Sequence, residues 1–286
     1  MGKIGIIGGS GLYDIEGVSK KRWIKIKTPF GPPSDKILLA ELEGKEIVFL
    51  PRHGRGHKIL PSKINYRANI YAMKVLGVER IISVSACGSL KEEIKPLDFV
   101  IPTQFVDRTN QARKFTFFDE GIVVHISFSH PVCQDLARII YETAKEIGVR
   151  VHFGATYINM EGPQFSTLAE SNLYRSWGMD IIGMTNIAEA RLSREAEICY
   201  ATLAAVTDYD CWHPQHDEVT ADMVIQNLLK NVENAKKILK ALIPKIREER
   251  NCKCKEALKD AIVTPKRFIP HRIRKRLSPI LRERLR

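Results

Sequence analysis

The chain has 286 residues, of which 44% are hydrophobic and 27% are charged, and its formal net charge is +12. This size and composition are those of a globular protein with a large core, built as one α/β domain or two smaller ones. No apolar run is long enough to cross a bilayer, and the N-terminus enters a strand-like segment without a signal peptide, so a cytoplasmic location is expected.

The positive charge is concentrated at the C-terminus. Between Pro265 and Arg286, nine Lys or Arg residues stand against one acid, Glu283, which accounts for +8 of the +12. A basic tail of this kind can bind RNA or an anionic surface. No aromatic platform for bases is interleaved with these charges, so we favour an extension that is solvated or packs on the domain or a neighbouring subunit.

The cysteines give no zinc-binding spacing. No Cys-x-x-Cys pair is matched by a second one, which argues against a structural metal. Free thiols are expected in most cytosols, but intracellular disulfides occur in hyperthermophiles, and the richness in Lys, Glu and Arg is compatible with such a source. Disulfides therefore remain a hypothesis for five of the six cysteines: Cys133, Cys199, Cys211, Cys252 and Cys254.

The first predicted strand, Ile4–Ile7, opens on a glycine-rich loop. Glycines at 8, 9 and 11 can form an anion-binding nest together with the hydroxyl of Ser10. Asp14 stands where a dinucleotide fingerprint would have its third glycine, so that motif is not matched. A tight structural turn explains the loop as well as a phosphate site does.

Two further strand ends carry groups suited to an oxyanion. The strand over 46–50 ends near Arg52 and His53, and a guanidinium can bind two oxygens in a fork. After an amphipathic helix over 63–76, the strand over 80–84 opens on a loop that begins with Ser85. This convergence predicts an oxyanion site, with phosphate as the commonest candidate.

The rest of the chain reads as alternating strands and helices without a repeat or a linker, so we prefer one domain. Strands are predicted over 98–102, 122–126, 151–158 and 180–183, and helices over 131–148, from about 186 to 191, and over 220–250. Phe165, in a loop, could stack on a ring. Taken one at a time, His125 and Met184 are more typical of core or surface residues than of ligands.

Two carboxylates follow the apolar run at 198–206. Ligand sites of open α/β sheets lie at the carboxyl ends of such strands, which places Asp208 and Asp210 where a substrate would bind. On an extended backbone, residues i and i+2 leave on one face, so both carboxylates could address one polar edge of a ligand. If partly desolvated, one of them could hold a proton near neutral pH. A solvated turn with two acids is the simpler alternative.

Six stretches, in order and at natural spacing, resemble the 5′-methylthioadenosine phosphorylases of the trimeric branch of the purine nucleoside phosphorylase superfamily. The resemblance covers Lys3 to Pro244. It rests on Gly8-Gly9-Ser10-Gly11-Leu12, Thr28-Pro29-Phe30-Gly31, Arg52-His53-Gly54-Arg55, Ala86-Cys87-Gly88-Ser89-Leu90, Glu161-Gly162-Pro163 and Thr207-Asp208-Tyr209-Asp210-Cys211-Trp212.

The resemblance implies a fold and a reaction. The fold is a single-domain α/β phosphorylase/hydrolase-like fold with a mixed central β-sheet flanked by helices, here a catalytic domain over 1–250 and a basic extension over 251–286. The reaction is attack of inorganic phosphate, the co-substrate, on C1′ of 5′-methylthioadenosine, with no metal or organic cofactor. It also implies a homotrimer or homohexamer that binds a nucleoside and phosphate, with no role for a membrane or nucleic acid.

By resemblance, each candidate residue takes a role. Asp208 would act on N7 of the leaving base, with Asp210 at the purine edge. Ser10 replaces the threonine that family members often have and keeps the hydroxyl. Phosphate would be held by Ser10, Arg52, His53, Ser85, Ala86 (through its backbone) and Thr185; the nucleoside would contact Phe165, Ser166, Met184, Ala221, Val224 and His125, the last from a neighbouring subunit.

Base specificity is predicted from two positions. Related phosphorylases of 6-oxopurines carry asparagine at the place of Asp208 and glutamate at that of Ser166, so both residues here favour a 6-aminopurine.

Small apolar residues at Ala221 and Val224 suit a methylthio group, which requires a pocket without an unpaired polar group. The alternatives are a broad-specificity phosphorylase that also uses adenosine, inosine or guanosine, and an RNA-binding protein that uses its basic tail.

Overall fold

The computed structural model describes residues 2–9, 11–110, 113–214 and 220–285. Within these residues the strands form one mixed sheet in the order β2-β3-β4-β1-β5-β8-β7-β6-β9, and β9 pairs again with β5. Strands β5, β8, β7, β6 and β9 therefore close into a ring. The strands are β1 (Lys3–Gly8), β2 (Ser19–Ile24), β3 (Ile37–Leu42), β4 (Lys45–Pro51), β5 (Val78–Ser89), β6 (Phe99–Arg108), β7 (Val151–Met160), β8 (Ile181–Gly183) and β9 (Cys199–Asp208).

The centre of the sheet is parallel, with β4, β1, β5 and β9 side by side. All ten residues of β9 are buried, as expected for a parallel strand covered on both faces. Alternate residues of β9 face opposite layers. Leu203 packs in the cluster that includes the helices over 134–146 and 221–242, and Tyr200 packs in the cluster that includes the helices over 66–75 and 186–195.

Seven α-helices flank the sheet in the described part of the chain. The longest, α5, begins after Thr220, whose hydroxyl accepts from the N–H of Met223 at 3.2 Å. No helix among the described residues is both long and apolar enough to cross a membrane. The helices are α1 (Tyr66–Val75), α2 (Gln134–Glu146), α3 (Leu168–Ser176), α4 (Asn186–Glu195), α5 (Ala221–Leu242), α6 (His271–Arg276) and α7 (Ser278–Leu281).

The structure corrects the predicted elements in several places. The strand predicted over 122–126 is wrong: this segment makes only an isolated bridge, Val124 with Ile262, because its neighbour in space is a short stretch of the C-terminal extension. The helix predicted to reach residue 250 ends at Leu242, before Pro244, which lacks an N–H. Strand β5 runs through Ser89, while β2, β3 and α3 had not been predicted.

Residues of the C-terminal extension are buried on the same chain. Leu258, Ile273 and Leu277 belong to the cluster under α1 and α4. The hydroxyl of Tyr71 in α1 donates to the carbonyl of Arg276 at 2.9 Å. The extension therefore has an apolar side against the domain, beneath its basic surface.

Candidate active site

The site is built at the carboxyl ends of β5 and β9. Asp208 ends β9, and its register partner on β5 is Gly88. A β-carbon on Gly88 would lie 2.7 Å from Asp208 Oδ1, so the carboxyl group rests directly on the Gly88 backbone. The sequence places glycine where the carboxyl group needs the space of a missing side chain.

Burial and two hydrogen bonds determine the protonation of Asp208. Its carboxyl is buried; Oδ2 lies 2.6 Å from the Thr207 hydroxyl, and Oδ1 accepts from the N–H of Asp210 at 2.8 Å. Burial raises the pKa of Asp208 to about 6, although both hydrogen bonds oppose the rise. Thr207 Oγ1 is also 3.2 Å from the carbonyl of Cys87. When Thr207 donates to that carbonyl, its oxygen can accept from a protonated Asp208.

Asp210 reaches the site by a different geometry from the predicted one. Its φ is 51°, so the chain is no longer extended at this residue. The prediction that the side chains of Asp208 and Asp210 leave on one face of an extended strand is therefore wrong. The left-handed conformation turns its N–H toward Asp208. Burial raises the pKa of Asp210, although the nearby hydroxyls of Ser171 and Ser166 oppose the rise. Oδ2 is buried and makes no hydrogen bond of normal geometry among the described residues. A ligand N–H would remove the cost of that unpaired oxygen.

Replacing Gly88 with alanine is expected to displace the Asp208 carboxyl, because the new β-carbon would lie 2.7 Å from Oδ1. Turnover should fall about as far as it does when Asp208 itself is removed, and the two losses should not add. The measurement is kcat for each single variant and for the double variant. Additive losses would mean that Gly88 acts elsewhere.

Arg52 is buried and held from inside the protein. Its Nε donates to Glu189 Oε1 at 2.5 Å, Nη2 donates to the Ser83 hydroxyl at 2.6 Å, and Nη1 donates to the carbonyl of Val84 at 2.9 Å. The fork that the sequence assigned to phosphate oxygens is thus made on Glu189, with Nη2 lying 3.3 Å from Oε2. Phosphate contact by Arg52 remains a prediction that rests on its remaining Nη1 hydrogen.

Asn186, the first residue of α4, joins the strand ends to this buried pair. Its Oδ1 accepts from the hydroxyl of Ser85 at 3.0 Å, and the hydroxyl of Thr185 lies 3.4 Å from the same atom. Its Nδ2 donates to Tyr200 at 3.0 Å and to Thr202 at 2.9 Å. The structure therefore brings together two predicted phosphate residues, Ser85 and Thr185, at the N-terminus of a helix, where an anion is favoured.

His53 follows Arg52 and is neutral at physiological pH. Its Nδ1 lies 2.8 Å from the carbonyl of Ile59, which can only accept, so Nδ1 carries the hydrogen. Burial, together with the Arg52 charge, lowers the pKa of His53 to about 4. Its Nε2 is thereby left as an acceptor, which suits the P–OH of a protonated phosphate.

The glycine loop after β1 meets the same strand ends. The carbonyl of Gly8 accepts from the N–H of Arg52 at 2.9 Å, and the side of Gly9 that would carry a β-carbon is open. Ser10 lies outside the described residues. Ala86, predicted to act through its backbone, is in β5 and not in a loop.

Arg113, which the sequence analysis did not identify, fixes the loop after β7. It is buried and pairs with Glu161 through Nε at 3.0 Å, and its Nη1 donates to the carbonyl of Met184 at 2.6 Å. A β-carbon on Gly162 would lie 2.5 Å from Met184 Sδ. Arg113 thereby holds Met184, a predicted nucleoside contact, against this loop.

Ser166 lies beside the end of the Asp208–Asp210 segment. Its carbonyl accepts from the thiol of Cys211 at 3.4 Å, and its hydroxyl faces Met160 Sδ at 3.8 Å. The neighbouring Phe165 is 41% exposed. Such an exposed aromatic side chain next to a buried carboxylate is compatible with the predicted stacking on a base.

The start of α5 is tied to the same strand end. Asn227 donates to the carbonyl of Thr207 at 2.7 Å, and Asn231 donates to that of Val206 at 2.9 Å. Ala221, which is exposed, and Val224, which is half-buried, lie in the preceding turns. His125 is exposed on the segment that meets the extension, and no contact joins it to Asp208 within the described part of this chain.

Sequence reasoning missed the residues that hold the predicted ones: Ser83, Gly88, Arg113, Asn186, Glu189 and Asn227. One signal was present for two of them. Asn186 and Glu189, three apart at the start of a helix whose neighbours are apolar, lie on one face. Polar residues on the buried face of a helix indicate a network of partners.

Comparison with known proteins decides the family. The family model described as phosphorylase superfamily matches residues 3–244. The S-methyl-5′-thioadenosine phosphorylase of Geobacter sulfurreducens is 57% identical over 97% of each chain, and that of Koribacter versatilis is 56% identical over 98% of this chain and 95% of the relative. The chain belongs to the S-methyl-5′-thioadenosine phosphorylase family.

Solved structures of this family superpose on the same fold. A methylthioadenosine phosphorylase from an antarctic soil metagenomic library is 50% identical, with a TM-score of 0.93 and coverage of 97% of this chain and 98% of that one. A mutant adenosine/methylthioadenosine phosphorylase of Schistosoma mansoni in complex with adenine is 36% identical, with a TM-score of 0.85 and coverage of 91% and 96%. The predicted single-domain fold with a mixed central sheet is confirmed.

Proposed function

We propose that the chain catalyses the phosphorolysis of 5′-methylthioadenosine to adenine and 5-methylthioribose 1-phosphate, a pentosyl transfer in purine and methionine salvage. The observation that carries the proposal is the buried Asp208 carboxyl at the end of β9, whose pKa is raised to about 6. A carboxyl group that keeps a proton near neutrality can donate to a leaving base. The family relatives support the same activity.

The reaction forms one bond and breaks one. A phosphate oxygen bonds to C1′ as the C1′–N9 bond breaks, and the electron pair of that bond passes to the purine. The proton of Asp208 leaves its hydrogen bond to Thr207 and goes to N7, which neutralises the leaving base. Phosphate also places negative charge beside the cationic sugar of the transition state. Inorganic phosphate is the co-substrate, and this chemistry requires neither a metal nor an organic cofactor.

Asp208 and Asp210 also explain a preference for adenine as the leaving base. The Asp210 carboxylate can only accept when it is ionised, and its Oδ2 makes no hydrogen bond of normal geometry among the described residues. The 6-amino group of adenine supplies a donor where a 6-oxopurine supplies an acceptor. Ser166, beside Cys211, leaves this edge without a second carboxylate. No observation favours the broad-specificity phosphorylase, or an RNA-binding protein, over this reading.

The direct test follows both products. With 5′-methylthioadenosine and phosphate, adenine and 5-methylthioribose 1-phosphate should appear in equal amounts, and omission of phosphate should abolish the release of adenine. Release without phosphate, with a free sugar as the second product, would show a hydrolase and overturn the proposal.

The pH dependence of kcat/KM should report Asp208. The protonated acid is the active form, so activity is full below its pKa of about 6 and declines as the pH rises through it. Phosphate also titrates in this pH region, so Asp208→Asn is the control. This variant should lose the fall in kcat/KM that is due to the Asp208 carboxyl and keep the pH dependence that is due to phosphate. Identical alkaline limbs in both proteins would remove the proposed role.

Exchange of two residues should move the base preference. Asp208→Asn combined with Ser166→Glu is expected to shift the ratio of inosine to adenosine turnover toward inosine, because an amide and a carboxylate then meet the 6-oxopurine edge. The measurement is kcat/KM for both nucleosides. Ser166→Gln, similar in size but uncharged, is the matched control, and an unchanged ratio in the double variant contradicts the account of specificity.

We also propose that the protein works as a homotrimer or homohexamer in the cytoplasm. Residues 1–250 form the catalytic domain, and residues 251–286 form an extension that packs on it. Two features support assembly. Ile225 and Leu229, one turn apart on α5, are 53% and 63% exposed near the site. His125, assigned to a neighbour's pocket, is exposed and separate from Asp208 in its own chain.

A further inference from the structure

Four cysteines from three distant segments of the chain meet at the amino end of β9. Cys133 precedes α2, Cys199 begins β9, and Cys252 and Cys254 lie at the start of the C-terminal extension. Their four sulfur atoms all lie within 4.8 Å of one another. All six cysteines of the chain are free in the structure, and only these four form a cluster.

We propose that Cys133, Cys199, Cys252 and Cys254 bind one structural Zn²⁺. At a Zn–S distance of about 2.3 Å, the sulfurs of a tetrahedral four-cysteine site lie about 3.8 Å apart, which agrees with the observed grouping. The Sγ atoms of Cys199 and Cys252 lie 3.2 Å apart, so this pair would move apart by about 0.6 Å on binding the metal. Two disulfides would need only two short separations, whereas a metal ion requires all four sulfurs to converge.

Burial disfavours thiolates, the form that binds metal, whereas the N-terminus of α2 favours them. Cys133 is the N-cap of α2, where the helix dipole stabilises a negative charge, and its side chain makes no capping hydrogen bond. Its N–H donates to the carbonyl of Tyr200 at 2.9 Å, which fixes it beside β9. Cys133, Cys199 and Cys254 are buried, and Cys252 is half-buried. Bare thiols make only weak hydrogen bonds, so a metal would satisfy this cluster better.

Arginine side chains lie beside the cluster, two of them, Arg80 and Arg250, near Glu79. Four thiolates around Zn²⁺ carry a net charge of about −2. Arg80, which is buried, is the register partner of Cys199 on β5. A cleft of about 520 Å³ next to Cys133, Cys199 and Cys252 is lined by four arginines against three acids: Arg80, Arg138, Arg247 and Arg250 against Asp135, Glu142 and Glu249.

The position indicates a structural role. Cys199 and Asp208 are the first and last residues of β9, so roughly 30 Å of strand separates the cluster from the catalytic end. The zinc would fasten the start of the extension to both α2 and β9. Spacing along the chain could not predict the site, because Cys252 and Cys254 are one residue apart and their partners lie more than fifty residues away.

The test measures the metal content of the full chain purified with reductant and without chelator. About one zinc per chain is expected, and it should be lost in Cys254→Ser and in Cys133→Ser. Cys211→Ser, a thiol outside the cluster, is the matched control and should keep the metal. Chelator should lower the melting temperature of the wild type and not that of Cys254→Ser.

A second measurement does not depend on the folding of the variants. Wild-type chain loaded with Co²⁺ should show the intense visible bands of tetrahedral thiolate coordination, and added Zn²⁺ should remove them. A chain that binds neither metal under reducing conditions overturns the proposal. So does a thiol count that finds the four cysteines in disulfides in freshly purified protein, and iron in place of zinc overturns the choice of metal.

Discussion

Replacing Asp208 with alanine is expected to lower kcat by on the order of 10²-fold or more, the usual contribution of a general acid. The carboxyl is buried, holds a raised pKa and rests on Gly88, and alanine offers neither the proton nor a hydrogen bond to the leaving base. The fold should persist, because the side chain lies at the end of β9 and not within its packed length. Steady-state turnover of 5′-methylthioadenosine at saturating phosphate is the measurement.

Two further variants serve as controls for Asp208→Ala. Asp260→Ala removes an exposed aspartate of the extension and should leave kcat unchanged. Asp208→Asn keeps a donor in place of the carboxyl and should retain more activity than alanine does. Turnover of Asp208→Ala near that of the wild type would show that another group protonates the base.

Replacing Glu189 with alanine is expected to destabilise the protein by about 3–5 kcal/mol, because it leaves the buried Arg52 guanidinium without its carboxylate. Glu189 also accepts from Ser83 at 2.8 Å and from Tyr200 at 3.0 Å, so three buried donors lose their partner. The network beneath the predicted phosphate site would rearrange, and KM for phosphate should rise. Denaturant unfolding and phosphate titration measure the two effects.

The control for Glu189 is an ion pair at the surface. Glu233 pairs with Lys236 at 2.9 Å, one turn apart on α5 with Glu233 exposed, and Glu233→Ala should change stability by no more than about 0.5 kcal/mol. Glu189→Gln keeps the shape and one acceptor and should fall between the two. If Glu189→Ala is as mild as Glu233→Ala, Arg52 does not depend on this pair.

The sequence predicts the strands that build the site because they are parallel and buried on both faces. Such strands are continuous apolar runs, as at 198–206, and the polar residues that end them mark the ligand edge. The amphipathic helices α1 and α2 follow from their periodicity. Strands β2 and β3 were missed: β2 is mostly exposed and polar, Ser-Lys-Lys-Arg-Trp-Ile, so it carries no core pattern.

What the sequence could not supply is which side chains hold the others. The pairing of Arg52 with Glu189 joins residues 137 apart, and no local pattern marks it. The left-handed conformation of Asp210 depends on how the chain leaves β9. Convergence of four cysteines from three segments is likewise a property of the folded chain. The type and order of the helices and strands follow from local sequence patterns, whereas these contacts depend on tertiary packing.

The most direct test of the central claim compares release of the free base from 5′-methylthioadenosine, adenosine and inosine in parallel, each with and without phosphate. We predict that adenine is released fastest from 5′-methylthioadenosine and only when phosphate is present. Fastest cleavage of inosine would contradict the roles assigned to Asp208, Ser166 and Ala221 in substrate specificity. Cleavage of none of the three would contradict the proposed activity itself.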